Sequence, residues 1–313
     1  MAHSASTHWW YEARRALFAQ LLSGRIPPGA TALDIGCGTG ETLALLRSLG
    51  AKRVAGTDLS AHALGHAKAF LEAEAPPPGS TGPTDPTGPT AATAGAALSA
   101  LAALAEQLPF PDACADVVVS SDVLEHLDND QVALREYHRV LRDGGSLLVT
   151  VPSYRWLWCG LDDRAGHRRR YRLGELAEAV TASGFVIERR SYYFSFLLPA
   201  AALLRRTPLR QLTPDTDEDV SGGPFMSGLL GALSGLERGL LSRWALPFGL
   251  SQFVLATAKP QPARSQVLEA ETDQHHQRQG DHGVHPIMVG GGDDSYQGDQ
   301  RMQKKDRADT PGV

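Results

Sequence analysis

The sequence predicts an α/β fold, a doubly wound sheet with helices on both faces, and three observations carry that reading. Leu33-Asp34-Ile35 runs into Gly36-Cys37-Gly38-Thr39-Gly40 and then into an amphipathic stretch from Glu41, which is the succession of buried strand, glycine turn and helix. Two later runs, ADVVVS at 115–120 and SLLVTV at 146–151, are continuously apolar, as strands buried on both faces are. Helical periodicity fills the intervals, so strand and helix alternate along the chain.

In chain order, a helix is expected near 8–23 and a strand at 31–35. Leu43, Leu45, Leu46 and Leu49 mark a helix at 41–49, followed by a strand at 53–57 and a helix near 61–74. Residues 76–100 are rich in Pro, Gly, Thr and Ala, with six prolines in 76–95 and no aromatic or large aliphatic side chain there. Such a composition cannot offset the entropy of ordering, so this segment is expected to be a flexible insertion where the second strand's helix returns to the third strand. Alternation resumes with the strand at 115–120, a helix at 131–141, the strand at 146–151 and a helix at 173–183 ending at Gly184, a suitable C′ residue. Segments 185–191 and 252–258 supply the final strands, for seven in all, and 197–250 between them is an apolar helical insertion. The folded domain is expected over 8–259, and the Gln-, Asp-, Gly- and His-rich tail, 260–313, is expected to be disordered.

The residues that carry chemistry sit at the predicted strand ends. Gly36, Gly38 and Gly40 tolerate positive φ and expose bare backbone, which suits either a tight turn or a ligand lying against the helix N-terminus. A dinucleotide fingerprint would place its third glycine at 41, where the chain has Glu41. Asp58, at the tip of the second strand, is suited to accept both hydroxyl protons of a ribose, or to cap the helix from Ala61, a role open equally to Ser60. Segment 120–127 leaves a central strand at the end where open α/β sheets bind ligands, and it holds Ser121, Asp122 and His126. An imidazole there suits proton transfer at neutral pH; the alternative is a histidine that merely begins a helix.

LDIGCGTG, GTDLS at 56–60, LPFPDACADVVVSSDVLEHL at 108–127 and LRDGGSLLVTVP at 141–152 resemble, in order and spacing, the motifs of class I S-adenosylmethionine-dependent methyltransferases. The opening His8-Trp9-Trp10-Tyr11-Glu12-Ala13-Arg14-Arg15 and the later Gly166-His167-Arg168-Arg169-Arg170-Tyr171 are similar to a bacterial small-molecule branch. The resemblance implies a Rossmann-like seven-stranded sheet with an antiparallel last pair, and S-adenosyl-L-methionine as cofactor. By that resemblance Asp34, Gly36, Gly38, Gly40, Asp58, Leu59, Ala105, Ser121 and Asp122 bind the cofactor, with Asp34 near its amino group. Position 104 departs from the family pattern: Leu104 stands where an acid usually receives the adenine amino group, leaving the backbone at Ala105, or Glu106, to do so.

On the acceptor side, Arg164, His167, Arg168, Arg169, Arg170 and Arg172 crowd one stretch, with Asp162 and Asp163 nearby. His167, Arg169 and Tyr171 are the candidates for acceptor binding, because guanidinium forks suit an anionic group; the alternative is a solvated charged face. Trp9, Trp10 and Tyr11 are either an aromatic lid or a core stripe, and Arg14 or Arg15 a partner for the methionine carboxylate. Met226, Leu229, Leu230, Leu233, Leu240, Leu241 and Trp244 repeat at near-helical spacing, so the second insertion covers core, a lipid-linked acceptor or a membrane surface. A formal net charge of −5 gives no general attraction to nucleic acid. Cys37, Cys114 and Cys159 lack metal or disulfide spacing, no metal is expected, and a cytoplasmic enzyme without a transmembrane span is the resulting expectation. Methyl transfer to O, N or C of a small acceptor is the function so implied. The other classes are a noncatalytic cofactor-binding or membrane-associated protein and a nicotinamide oxidoreductase, the last disfavoured by Glu41.

Overall fold

The computed structural model describes residues 9–73, 98–206 and 223–261. Helix α1 (Trp9–Leu22) precedes strand β1 (Thr31–Ile35), α2 (Glu41–Ser48), β2 (Arg53–Asp58) and α3 (Ala61–Ala73). Strand β3 (Leu98–Ala102) is followed by β4 (Ala115–Ser121), α4 (Asp130–Val140), β5 (Leu141–Pro152), α5 (Gly160–Ala165) and α6 (Leu173–Ala182). The chain closes with β6 (Phe185–Tyr193), α7 (Leu198–Arg206), α8 (Gly223–Leu241) and β7 (Ser251–Ala258).

The seven strands form one sheet in the order β3-β2-β1-β4-β5-β7-β6. Strands β1 to β5 pair in parallel, and β7 runs antiparallel to both β5 and β6. The expected doubly wound sheet with an antiparallel last pair is therefore observed. Its two faces follow from the period of two along each strand. Val117 and Val119 of β4 and Phe253 and Leu255 of β7 pack with α1, α2 and α3, whereas Val118, Val149 and Val254 pack with α4 and α6 on the other face.

Two boundaries differ from expectation. Residues 98–100, assigned to the flexible insertion of 76–100, stand in β3, where Leu98 to Ala102 pair with Val54 to Asp58. Backbone pairing to β2 supplies the order that the Ala- and Ser-rich composition does not advertise. Residues 76–97 lie outside the described residues. The tail expected from 260 is still docked at Gln261, whose side-chain amide donates to the carbonyls of His138 and Leu141; from 262 it too lies outside the described residues.

Register sets the site. Ile35 of β1 aligns with Thr57 of β2 and with Ser120 of β4. The next residues, Gly36, Asp58 and Ser121, therefore emerge level at the carboxyl edge, where the strand order reverses between β1 and β4.

Candidate active site

The glycine turn is locked from below and open above. Gly36, with φ 75°, and Cys37 both donate to the Thr57 carbonyl, at 2.7 and 2.9 Å. A Cβ on Gly36 would lie 2.3 Å from Val123 Cγ2, so the turn packs directly on the segment after β4. Gly40, with φ 95°, would set a Cβ 3.2 Å from the Ala67 Cα. Gly38 differs: it has φ 51°, yet nothing lies within 4 Å of its Cβ position, so its open face can receive a ligand.

Carboxylates surround that face. Asp58 Oδ2 accepts from the Gly38 N–H at 2.9 Å and Oδ1 from the Ser60 N–H at 2.8 Å. Each oxygen keeps a further lone pair. Ser60 Oγ, not Asp58, accepts from Ala63 N–H in the first turn of α3. Asp34 is 1% exposed, and its Oδ1 has no hydrogen-bond partner. Burial pushes its carboxyl up to about 7; Arg14 opposes that shift and Asp58 adds to it.

After β4 the backbone turns sharply. Asp122 has φ 56°, a left-handed conformation that costs a non-glycine residue free energy, and its N–H donates to the Thr150 carbonyl. Arg14 reaches across from α1 to pair with Asp122 at 2.6 Å, and Ser121 Oγ meets Thr150 Oγ1 at 3.0 Å. His126 closes a single 3₁₀ turn, Leu124–His126, beside Glu125. Glu125 is fully buried, neither carboxylate oxygen has a hydrogen-bond partner, and burial, with Asp122 adding to it, raises its pKa well above the carboxylate range. The His126 ring stands edge-on to His167, centroids 4.8 Å apart. Burial lowers the His126 pKa, and His167 lowers it further. His167 Nδ1 lies 2.8 Å from Asp162 Oδ1, and Arg170 Nε donates to the same oxygen at 2.6 Å. Although burial works against its charge, these two partners hold Asp162 well below the ordinary carboxylate range.

Two of the expected acceptor-binding residues are tied into the fold instead. Arg169 donates to the carbonyls of Leu127 and Asp128 and pairs with Asp130. Tyr171 is buried, and its hydroxyl donates to Asp130 at 2.7 Å. Arg168 pairs with Asp128. Arg168, Arg169 and Arg170 thus brace the fold, each meeting a carboxylate supplied from 128–130 or 162. Of the three candidates only His167 borders His126. The aromatic stripe resolves toward packing: Trp9 is buried, and Trp10 stacks on Phe194 with centroids 4.0 Å apart.

A family profile described as a methyltransferase domain matches residues 33–149, which span β1 through β5 and hold the glycine turn, Asp58 and the Asp122–His126 segment. That matched segment, a little over a third of the chain, is similar to the S-adenosylmethionine-dependent methyltransferases. A probable S-adenosylmethionine-dependent methyltransferase of Mycolicibacterium smegmatis is 30% identical over 186 residues, 59% of this chain and 62% of that protein. The chloroplastic 2-methyl-6-phytyl-1,4-hydroquinone methyltransferase of Arabidopsis thaliana is 31% identical over 132 residues, 42% of this chain and 32% of that protein. The chain therefore spans less than two thirds of either curated relative. Among solved structures, the [4+2]-cyclase SpnF superposes with a TM-score of 0.51 at 20% identity, over 81% of this chain and 84% of that one. That likeness concerns the fold alone, and a cyclase on this fold illustrates that the reaction is decided by the site.

The relatives are named for S-adenosylmethionine, and the site fits that cofactor: an open glycine backbone, a ribose-suited carboxylate with spare lone pairs, and an orphaned buried acceptor at Asp34 for an ammonium. At the adenine end, Leu104 bridges Gln107 across a tight turn, Ala105 is buried, and Glu106 Oε2 is buried without a partner. Leu59 is 68% exposed beside Asp58. Sequence reasoning missed Glu125 and the Asp162–His167 pair. Nothing in a linear pattern marks them, since Glu125 and His167 meet only once the segment after α5 folds back on the turn after β4, where the Arg168 N–H donates to the Glu125 carbonyl at 2.7 Å.

The insertion between β6 and β7 is anchored by Glu237 of α8, which accepts from the N–H groups of Phe194 and Ser195 at 2.7 Å each. Its opposite face leaves Phe225 84% and Leu236 65% exposed, with Leu229 and Leu240 exposed on the same stripe. No helix among the described residues is long and apolar enough to cross a membrane.

Proposed function

We propose that this enzyme transfers the methyl group of S-adenosylmethionine to an O, N or C atom of a small-molecule acceptor with an apolar portion. The carrying observation is the open backbone face at Gly38 on the carboxyl edge, with Asp58 bound to it and the unpartnered Asp34 buried just inside the sheet beneath. When bound, the cofactor supplies a methyl group already activated on a sulfonium. The chain's own residues position the partners and exclude water, and good in-line orientation lowers a barrier by about 7–11 kcal/mol. Gly36, Gly38 and Gly40 hold the backbone close, Asp58 accepts the ribose hydroxyls, Leu59 covers the adenine face, and the Ala105 backbone meets its edge. Asp34 accepts from the methionine ammonium, while Ser121 and Asp122 border the sulfur end.

On the acceptor side, the depressed pKa of His126 keeps it neutral at pH 7 and able to accept the proton that an O or N nucleophile releases. His167, oriented by Asp162, lines the same end. The exposed stripe of α8 and the phytyl hydroquinone in the name of the Arabidopsis relative both support a lipid-linked acceptor. Such an acceptor needs no membrane span, only peripheral contact.

The reading is tested by calorimetric titration with S-adenosylmethionine and, separately, with a nicotinamide dinucleotide. Asp58→Ala should raise the dissociation constant for S-adenosylmethionine about tenfold or more, since hydrogen bonds to a charged group contribute ~1.5–3 kcal/mol. A wild-type protein that binds the dinucleotide and not S-adenosylmethionine would sink the proposal.

A further inference from the structure

We infer that Glu125, His126 and His167 form a binding site for a divalent transition-metal cation of the zinc, cobalt(II) or manganese(II) kind. One ligand atom from each lies within 4.8 Å of the other two. Ligands of a single tetrahedral zinc stand roughly 3.4 Å apart, so small side-chain rotations close the set. One carboxylate with two imidazoles suits borderline cations better than calcium or magnesium, which prefer all-oxygen sites.

Three independent features point to an occupant. Glu125 is completely buried with both oxygens unpartnered, a state that calls for a positive charge or a proton beside it. The arginines nearby are each paired with another carboxylate, Arg14 with Asp122, Arg168 with Asp128, Arg169 with Asp130 and Arg170 with Asp162, and the through-space pull of Arg170 and Arg14 does not outweigh the burial of Glu125. His167 donates Nδ1–H to the buried Asp162, which fixes the tautomer and leaves Nε2 with its lone pair, as in the carboxylate–histidine pairs that orient metal ligands. The sequence gives no warning of this, because the ligands come from 125–126 and from 167.

The inference rests on the methyl-transfer reading for its chemical use. An acceptor hydroxyl coordinated beside His126 would lose its proton to water; the oxygen then bonds to the methyl carbon as the carbon–sulfur bond breaks and the thioether leaves. In that loaded form His126 is a ligand, and water replaces it as proton acceptor.

The test uses metal-free full-length protein in a background where the exposed His62 and the tail histidines His275, His276, His282 and His285 are Gln. Cobalt(II) is titrated and followed by visible absorption and calorimetry, and S-adenosylmethionine affinity is measured in parallel as the reporter of a folded site. One equivalent should bind saturably, with absorption characteristic of nitrogen ligation. Glu125→Gln, His126→Gln and His167→Gln should each weaken binding more than tenfold, and Asp162→Asn about tenfold, with cofactor affinity kept within about twofold. Should one variant fail to fold, the other two carry the decision. Absence of one-equivalent binding, or ligand variants that bind cobalt(II) as the parent does, overturns the site. A parent that binds cobalt(II) but not S-adenosylmethionine leaves the cation site standing and removes the methyl-transfer reading.

Discussion

Adding one methyl group to the glycine turn gives a sharp test of how that turn is held. In Gly36→Ala the new Cβ must occupy φ 75° and lies 2.3 Å from Val123 Cγ2, where carbon atoms prefer ~3.5–4.0 Å. The left-handed conformation costs an L-residue about 1–2 kcal/mol, and forcing a methyl into packed side chains costs about 1–3 kcal/mol. Together they should lower unfolding stability by about 2–5 kcal/mol, measured by urea denaturation. Gly36→Ala combined with Val123→Ala should recover the steric part, a coupling of ~1–3 kcal/mol, and keep the conformational part. Gly38→Ala is the contrast. With φ 51° and no neighbour within 4 Å, it should lose only about 1–2 kcal/mol of stability, yet weaken S-adenosylmethionine binding disproportionately, because the methyl stands where the cofactor would lie. A Gly36→Ala loss under ~1 kcal/mol, or strict additivity with Val123→Ala, would refute the packing argument.

Three further outcomes follow from the same geometry. The Asp34 carboxyl is raised from 3.8 to about 7 by burial, so the folded state binds more protons than the unfolded one between those values; the contribution of Asp34 to stability is full below pH 3.8 and is lost as pH rises through 7. Asp34→Asn should flatten that decline, a difference on the order of 4 kcal/mol at pH 8, while reducing cofactor affinity; an unchanged pH profile in denaturant titrations would count against it. Arg169→Ala should cost about 1.5–3 kcal/mol of stability by releasing the Leu127 and Asp128 carbonyls and Asp130, whereas an effect confined to KM for the acceptor would restore Arg169 to the acceptor pocket. Phe225→Ser with Leu236→Ser should alter stability by no more than ~0.5 kcal/mol but weaken binding to phospholipid vesicles or to a prenylated acceptor; a large loss of folding would make the α8 stripe part of a core.

Local sequence signals were enough for the fold class and for six of the seven strands. Those features rest on local signals: a strand breaking into glycines at 36, 38 and 40, an acid at the tip of β2, and the continuous apolar runs of β4 and β5. Strand β3 escaped location because Leu98–Ala102 is short and poor in β-branched residues, and its order comes from pairing with β2. Roles that depend on a partner distant in the chain were decided by tertiary structure alone. Arg169 and Tyr171 look free to bind an anion until Asp130 and the carbonyls after β4 arrive to occupy them. Glu125 looks like an ordinary charged residue in a turn, and only the return of the segment after α5 to the turn after β4 sets it beside two imidazoles. The physical reason is one of range. Periodicity and turn chemistry act between neighbours in sequence, while burial of a carboxylate and the matching of each arginine depend on which segments the sheet's register brings together.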